Sequence, residues 1–469
     1  MQISTRHLRN QHGSVLVIGL LITLILGITL ASYLYMVQSQ NVAVERSRIW
    51  NSAIPLSEAG IEDALAMINK YNDKFDLLHT WTNSSSLSSD NFTSLGNNVY
   101  TVRRYIGNNF YDVYITNLNN QPSITAIGTV IWNHTYASAA PMMAAVNVNV
   151  QSSDTRISRK IAVRTKVDPL INVAMAALRT INLNGKNVMT DSFDSADPNY
   201  STNGLYPAGN INKTKAGGDV VSNDTIIDTL NVGNAKIKGS VKTGPKGTVS
   251  IGPNGSVGDR NWVESGSTGI QPGHSADDMN VLFPVPTVPP GTYYYPPSGT
   301  VDGVAYSAIL DTGNYWLNNI GGAAGINKVL VRGDAKLWMQ TGGSINLTGN
   351  DVIRITTNAS LRIYMGGSTA KFAGNGVVNE NGNAASFYYF GLASNTSVDF
   401  SGNASVTGVV YAPTADFSLG GGGSDTYDFV GSSVTKTVKM NGHFNFHYDE
   451  NLRNNNMGRG YIPTDWKEL

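Results

Sequence analysis

The sequence predicts an α+β chain with a long N-terminal transmembrane helix, a small antiparallel sheet region, and then a large right-handed β-helix or β-solenoid. Three observations predict it. Residues Val15 to Val37 run for 23 positions without a charged side chain. Several stretches between residues 99 and 167 alternate apolar and polar positions, as half-buried strands do. Beyond about residue 170, short β-prone runs alternate with Gly- and Asn-rich turns, and no apolar period of helical length remains.

Composition narrows the function classes. With 469 residues the chain is long enough for two or three domains. Only 14% of residues are charged, against about 25% in an ordinary soluble domain. Lys+Arg and Asp+Glu both number 33, so no global basic field exists and no nucleic-acid partner is expected. Cysteine is absent, which excludes disulfides, thiolate catalysis and cysteine metal sites. Rigidity must therefore come from backbone pairing and packing.

The first element is the helix. At 1.5 Å per residue the apolar run spans roughly 35 Å, enough to cross a hydrocarbon core. Arg6 and Arg9 precede it and place the N-terminus in the cytoplasm. A cleaved secretory signal would carry a shorter apolar core and a small-residue cleavage site. Here the helical pattern continues through Gln38, Val42, Glu45 and Ile49 to Leu65 and Ile68. The expected organisation is thus a leader over 1–13 and a helix over 14–70. Leu56, Ile61, Leu65 and Ile68 share one face of its second half, which would pack onto β-structure, and Pro55 should kink it.

The polar leader ends in Gln11-His12-Gly13, followed at once by Ser14 and the apolar run. This boundary resembles the class III signal of type IV pilins and pseudopilins. The resemblance implies cleavage by a prepilin peptidase between Gly13 and Ser14, N-methylation of Ser14, and retention of the helix in the mature protein. The fifth mature residue would be Ile18, where most family members carry Glu, a departure typical of certain minor, tip-located subunits. The stretch Ser57-Glu58-Ala59-Gly60-Ile61-Glu62-Asp63-Ala64-Leu65 resembles the end of the long helix in PilX-type minor pilins. Gly19, Gly27 and Ala31 would allow close contacts between neighbouring helices.

After the helix, residues 71–168 form the expected small sheet region. Residues 83–98 read as a loop, followed by strands over 99–106, 111–117, 123–132, 144–151 and 157–167. Tyr100, Arg103, Arg104, Tyr105, Tyr111 and Tyr114 superficially suggest a single-strand nucleic-acid surface, but cross-strand pairing in a half-exposed sheet accounts for them better. The β-solenoid is assigned to 169–452, from Gly-centred alternation around Gly333, Gly402 and Gly442 at irregular spacing. A β-sandwich is the runner-up. Residues 408–413 (GVVYAP) and the segment from Asp191 to Ser195 resemble the β-solenoid of PilX-like surface proteins. Residues 283–297 hold six prolines and read as an extended excursion over the surface, with Tyr293, Tyr294 and Tyr295 either packed or forming a sticky patch. Residues 453–469 read as a loosely attached tail.

Chemistry is sparse. Asp191, Asp194 and Asp197, spaced by three, are a candidate metal cluster, for which turn capping is the competing reading. His443 and His447 share a strand face and are the second candidate, against a terminal strand with polar residues outward. No nucleophile elbow or metalloprotease helix occurs. The expectation is a non-enzyme without a cofactor: a type IV pilus-like minor pilin or pilus assembly protein. It would sit in a bacterial inner membrane with its bulk periplasmic or extracellular, presenting the β-solenoid as tip, cap or adhesive surface. Its expected partners are other pilins, the inner-membrane assembly platform, the prepilin peptidase, membrane lipid and a host or surface receptor. The alternatives are a membrane-anchored β-helical carbohydrate-active enzyme and a passive envelope scaffold.

Overall fold

The computed structural model of the chain describes residues 12–70, 92–117, 121–133, 154–185, 188–322, 325–401, 405–420, 426–442, 444–455 and 457–469. They fall into two compact units. One is built on the helix, the residues up to Lys166 and the last segment, Tyr461–Leu469; the other is built on Val167–Gly460.

In the first unit, helix α1 (His12–Lys70) runs for 59 residues, and Pro55 lies inside it without ending it. Its two halves differ. Residues 15–36 are all exposed, whereas Ile49, Ala53, Leu56, Ile61, Ala64 and Ile68 are buried. The partner of the buried half is an antiparallel sheet of β1 (Thr93–Gly96), β2 (Val99–Ile106), β3 (Asn109–Thr116), β4 (Ser123–Asn133) and β5 (Asp154–Pro169), paired in that order. β1 occupies part of the expected loop, and the expected strand over 144–151 lies outside the described residues. The two arginines of the aromatic group are held in ion pairs. Arg103 bonds Asp112 across the strands at 2.6 Å, and Arg104 bonds Asp63 of the helix at 2.6 Å.

Gly128 of β4 is where helix and sheet come closest. A Cβ there would strike the Ala53 carbonyl and the Ser57 amide of α1. Instead the Gly128 amide donates to Ser57 Oγ at 2.8 Å, and that hydroxyl donates to the Arg159 carbonyl of β5 at 2.9 Å. A buried serine thus ties the helix to two strands. Gly128→Val should cost about 3 kcal/mol, the upper end for overpacking. Limited proteolysis of the full chain should then show new cuts between residues 38 and 70.

The expected tail is corrected. A 3₁₀ turn over Glu450–Asn454 leads into a strand, Gly458–Glu468, which joins the sheet beside β5. Asn69 accepts from the Tyr461 amide at 2.6 Å and donates to its carbonyl at 3.1 Å. An edge strand is held by its backbone and leaves most side chains in water, so its sequence stays polar and reads as a tail.

The second unit corrects the expected fold class. It is almost wholly β, and the right-handed β-solenoid is replaced by a closed six-strand parallel barrel with further strands attached. The ring runs through Asp334–Leu347, Ser360–Met365, Phe387–Gly391, Val406–Gly420, Ser397–Ser401 and Thr369–Phe372, then back to Asp334–Leu347, with every pairing parallel. Closure comes from Asp334–Leu347 and Val406–Gly420, each long enough to pair along two different ladders. Inward alternation satisfies either arrangement, so the sequence pattern did not separate them. Phe372 stacks on Phe400 at 4.5 Å and Phe429 on Phe446 at 4.6 Å inside the core.

The attached strands come from distant sequence. Tyr427–Met440 pairs in parallel with Met175–Ala177 and Ile181–Asn182, and Phe444–Asp449 pairs with Met189–Phe193. From this seam further parallel strands add outward, including Leu230–Gly233, Lys236–Lys238, Val249–Ile251 and Ser256–Gly258. The proline-rich segment 283–297 lies against the aromatic column Trp316, Trp338, Tyr364, Phe390 and Tyr411, whose residues are in register on adjacent strands. Tyr293 meets Trp338, Tyr295 meets Trp316, and Tyr411 donates to the Pro284 carbonyl at 2.9 Å. The tyrosines divide: Tyr293 is half-buried, while Tyr294 and Tyr295 remain 65% and 56% exposed.

Candidate functional site

Two places carry the residues singled out from the sequence: the exposed half of α1, and the seam of the second unit.

Gly13 and Ser14 lie in the first turn of α1. Further along, Gly19 and Gly27 have nothing within 4 Å of where a Cβ would stand, and Ala31 is exposed. Among the described residues, nothing packs on these small-residue positions. The most apolar window of the helix has a mean hydropathy of 2.7 and no buried residue, so the helix is long and apolar enough to cross a membrane.

The seam separates the acidic cluster. Asp194 and Asp197 cap turns, accepting from the amides of Ala196 and Asn199 at 3.0 and 2.9 Å. Asp191 belongs to the strand Met189–Phe193 and faces elsewhere. Parallel register sets Asp191 opposite His447, although 256 residues separate them, and His447 opposite Val430, two positions from Asp428. His447 Nδ1 lies 2.5 Å from Asp191 Oδ1, and Nε2 lies 3.2 Å from Asp428 Oδ1. The side chains of His447 and Asp191 are each 1% exposed, that of Asp428 37%.

The loop after Asp194 folds back over this pair. It brings the Tyr206 ring onto the imidazole at 3.6 Å, stacked, while the phenol donates to Asp191 Oδ2 at 3.2 Å. Burial and the Asp191 charge hold the Tyr206 phenol in its neutral form. Burial alone would lower the His447 pKa, but its hydrogen bonds to Asp191 and Asp428 and their charges outweigh it, and the net shift is upward. Burial likewise works against the Asp428 carboxylate, and its bond to His447 reverses the balance, leaving its pKa lowered. The chemistry is that of an imidazole held between two carboxylates under an aromatic ring, an arrangement that favours its protonated form.

A second charged group adjoins it. Glu450 binds Lys215 and accepts from Ser192 Oγ at 2.9 Å and Arg453 at 2.6 Å. Asp449 accepts from the Ser195 amide at 3.0 Å and the Asn451 amide at 3.1 Å, and burial pushes its pKa up. These contacts join the segment after Asp194 to the end of the last core strand.

Both ring nitrogens of His447 are engaged by carboxylates, so neither is open to take a proton from a substrate. Among the described residues no group of three or more His, Asp or Glu could hold a metal ion, and His443 lies outside the described residues. Asp428 and Tyr206 were missed by sequence reasoning. No spacing marks them, since only parallel pairing across the seam brings them to His447.

Residues 290–455, less than half of the chain, match a family described as a domain of unknown function (DUF7305). No curated protein matches. Among solved structures, the chain is similar to the competence-associated pilin ComZ from Thermus thermophilus at 9% identity, covering 90% of this chain and 97% of that one, with a TM-score of 0.26. A likeness that low carries no argument about fold or role.

Proposed function

We propose that the chain is a type IV pilus-like minor pilin or pilus assembly protein, anchored in a bacterial inner membrane by the first half of α1 and presenting its β-rich unit as a tip, cap or adhesive surface. The observation that carries this reading is the division of one unbroken helix. Residues 15–36 are exposed and uncharged, while beyond Ile49 one face of the helix is buried against an antiparallel sheet of its own unit. A helix built this way is held firmly at one end and leaves a free apolar rod at the other. In lipid that rod is an anchor; among like rods, Gly19, Gly27 and Ala31 permit close approach. The work is assembly and display, not catalysis, and the doubly engaged His447 fits that reading. Other pilins, an assembly platform and a prepilin peptidase would be its partners.

Mass spectrometry of the mature N-terminus tests it. The expected product begins at methylated Ser14, and Gly13→Val should remain full-length in the membrane. Normal maturation of that variant, or a mature chain beginning past residue 40, would overturn the reading.

A further inference from the structure

A groove of about 570 Å³ lies on the outer face of the second unit, next to the seam. Its floor is a row of residues in register on three parallel strands: Asn445 beside Met189, and Met189 beside Lys236. Its wall is made by the turns that follow three other parallel-paired strands, and each turn contributes an asparagine: Asn184, Asn234 and Asn254. Parallel strands repeat at about 4.8 Å, so these carboxamides form a spaced row.

Most of the hydrogen-bonding capacity in this row is unused. Asn234 Oδ1 accepts from the Asn254 amide at 3.2 Å, and Asn445 donates to Asp428 at 3.2 Å. Among the described residues, the carboxamides of Asn184 and Asn254, the Asn234 amino group and the Lys236 ammonium make no hydrogen bond or ion pair. Among the described residues no carboxylate lines the groove. Asp428, which bonds Asn445 of its floor, is already bonded to the His447 ring.

We infer that this groove is a binding site for an acidic oligosaccharide. Carboxamides both donate and accept, which matches hydroxyl groups, and a row of them matches a chain of hydroxylated rings. Met189 supplies an apolar patch on the floor for a ring's C–H face. Lys236 adds one uncompensated cation, which selects a carboxylate-bearing sugar over a neutral one. The volume is within the usual range for a ligand site. An added peptide strand would need a free sheet edge, whereas the floor strands are already paired on both sides. Single-stranded nucleic acid would need stacking rings, and none lines the groove among the described residues.

Calorimetric titration of the detergent-solubilised full chain tests this, using tetragalacturonate as the acidic probe and cellotetraose as the neutral one. Tetragalacturonate should bind, more weakly as salt rises, and cellotetraose should bind at least about tenfold less tightly. Lys236→Gln, at an exposed position, should erase that preference, and Asn234→Asp should weaken tetragalacturonate binding. Circular dichroism checks that both variants fold. Equal binding of the two probes, an unchanged preference in Lys236→Gln, or no tetragalacturonate binding would overturn the inference. It does not depend on filament assembly, so its failure would leave the processing of Gly13 and Ser14 untouched, and the converse holds.

Discussion

Replacing His447 with alanine is expected to destabilise the Val167–Gly460 unit by about 3–5 kcal/mol, because Asp191 is left buried without its counter-charge. The loss falls at the seam, where Phe444–Asp449 pairs with Met189–Phe193, so it should loosen sequence-distant strands together. A double variant, Asp191→Asn with His447→Gln, removes both charges and should recover much of the loss. Urea denaturation of the purified chain reads both effects; equal stability of His447→Ala and the parent would mean that the clamp contributes nothing. The pH profile gives an independent reading. The His447 pKa is raised above its ordinary 6.5, so its contribution is complete below about 6.5 and is lost as pH rises through the folded value. The Asp428 pKa is lowered from 3.8, so its contribution is present above about 3.8 and is lost as pH falls through the folded value. The raised Asp449 acts on the acid side, its contribution being lost as pH climbs through its folded value. Stability should therefore decline toward alkaline pH in the parent, and His447→Gln should lack that decline.

What the sequence made legible follows from how local each signal was. The helix and the strand β2 are read from unbroken local patterns, hydropathy in one case and alternation in the other, and the structure places both where those patterns lie. The Gly458–Glu468 strand was invisible because an edge strand is specified by the neighbour it pairs with, not by its own side chains. The closed barrel was invisible for a related reason. Its closure depends on Asp334–Leu347 and Val406–Gly420 each serving two ladders, and length alone does not reveal which strands a segment will meet. At the seam, Asp191 and His447 were both noticed but assigned to separate clusters, each with its nearest sequence neighbours. The ligand groups that matter to each other are 256 residues apart, and only the parallel register joins them. Asn184, Asn234 and Asn254 escaped notice for the same reason: their turns align only once Ile181–Asn182, Leu230–Gly233 and Val249–Ile251 stack.

Placing arginine at both Leu21 and Leu24 should move the chain from the membrane fraction to the aqueous fraction. Fourteen Leu, Ile and Val residues lie between Val15 and Val37. At about 0.3–0.6 kcal/mol each they favour insertion by roughly 4–8 kcal/mol. Two arginines near the middle of the run cost about 5–7 kcal/mol and also remove two of those leucines, so the balance falls near zero or beyond it. One arginine alone should leave the chain membrane-bound, which makes the pair of variants a graded test. Because residues 15–36 are all exposed, neither variant should alter the sheet or its docking at Gly128, and circular dichroism of the recovered double variant should match the parent. If the double variant stays with the membrane under alkaline carbonate washing, some other part of the chain must hold it there. The free rod would then not be the anchor, and a filament contact would be the remaining reason for its apolar face.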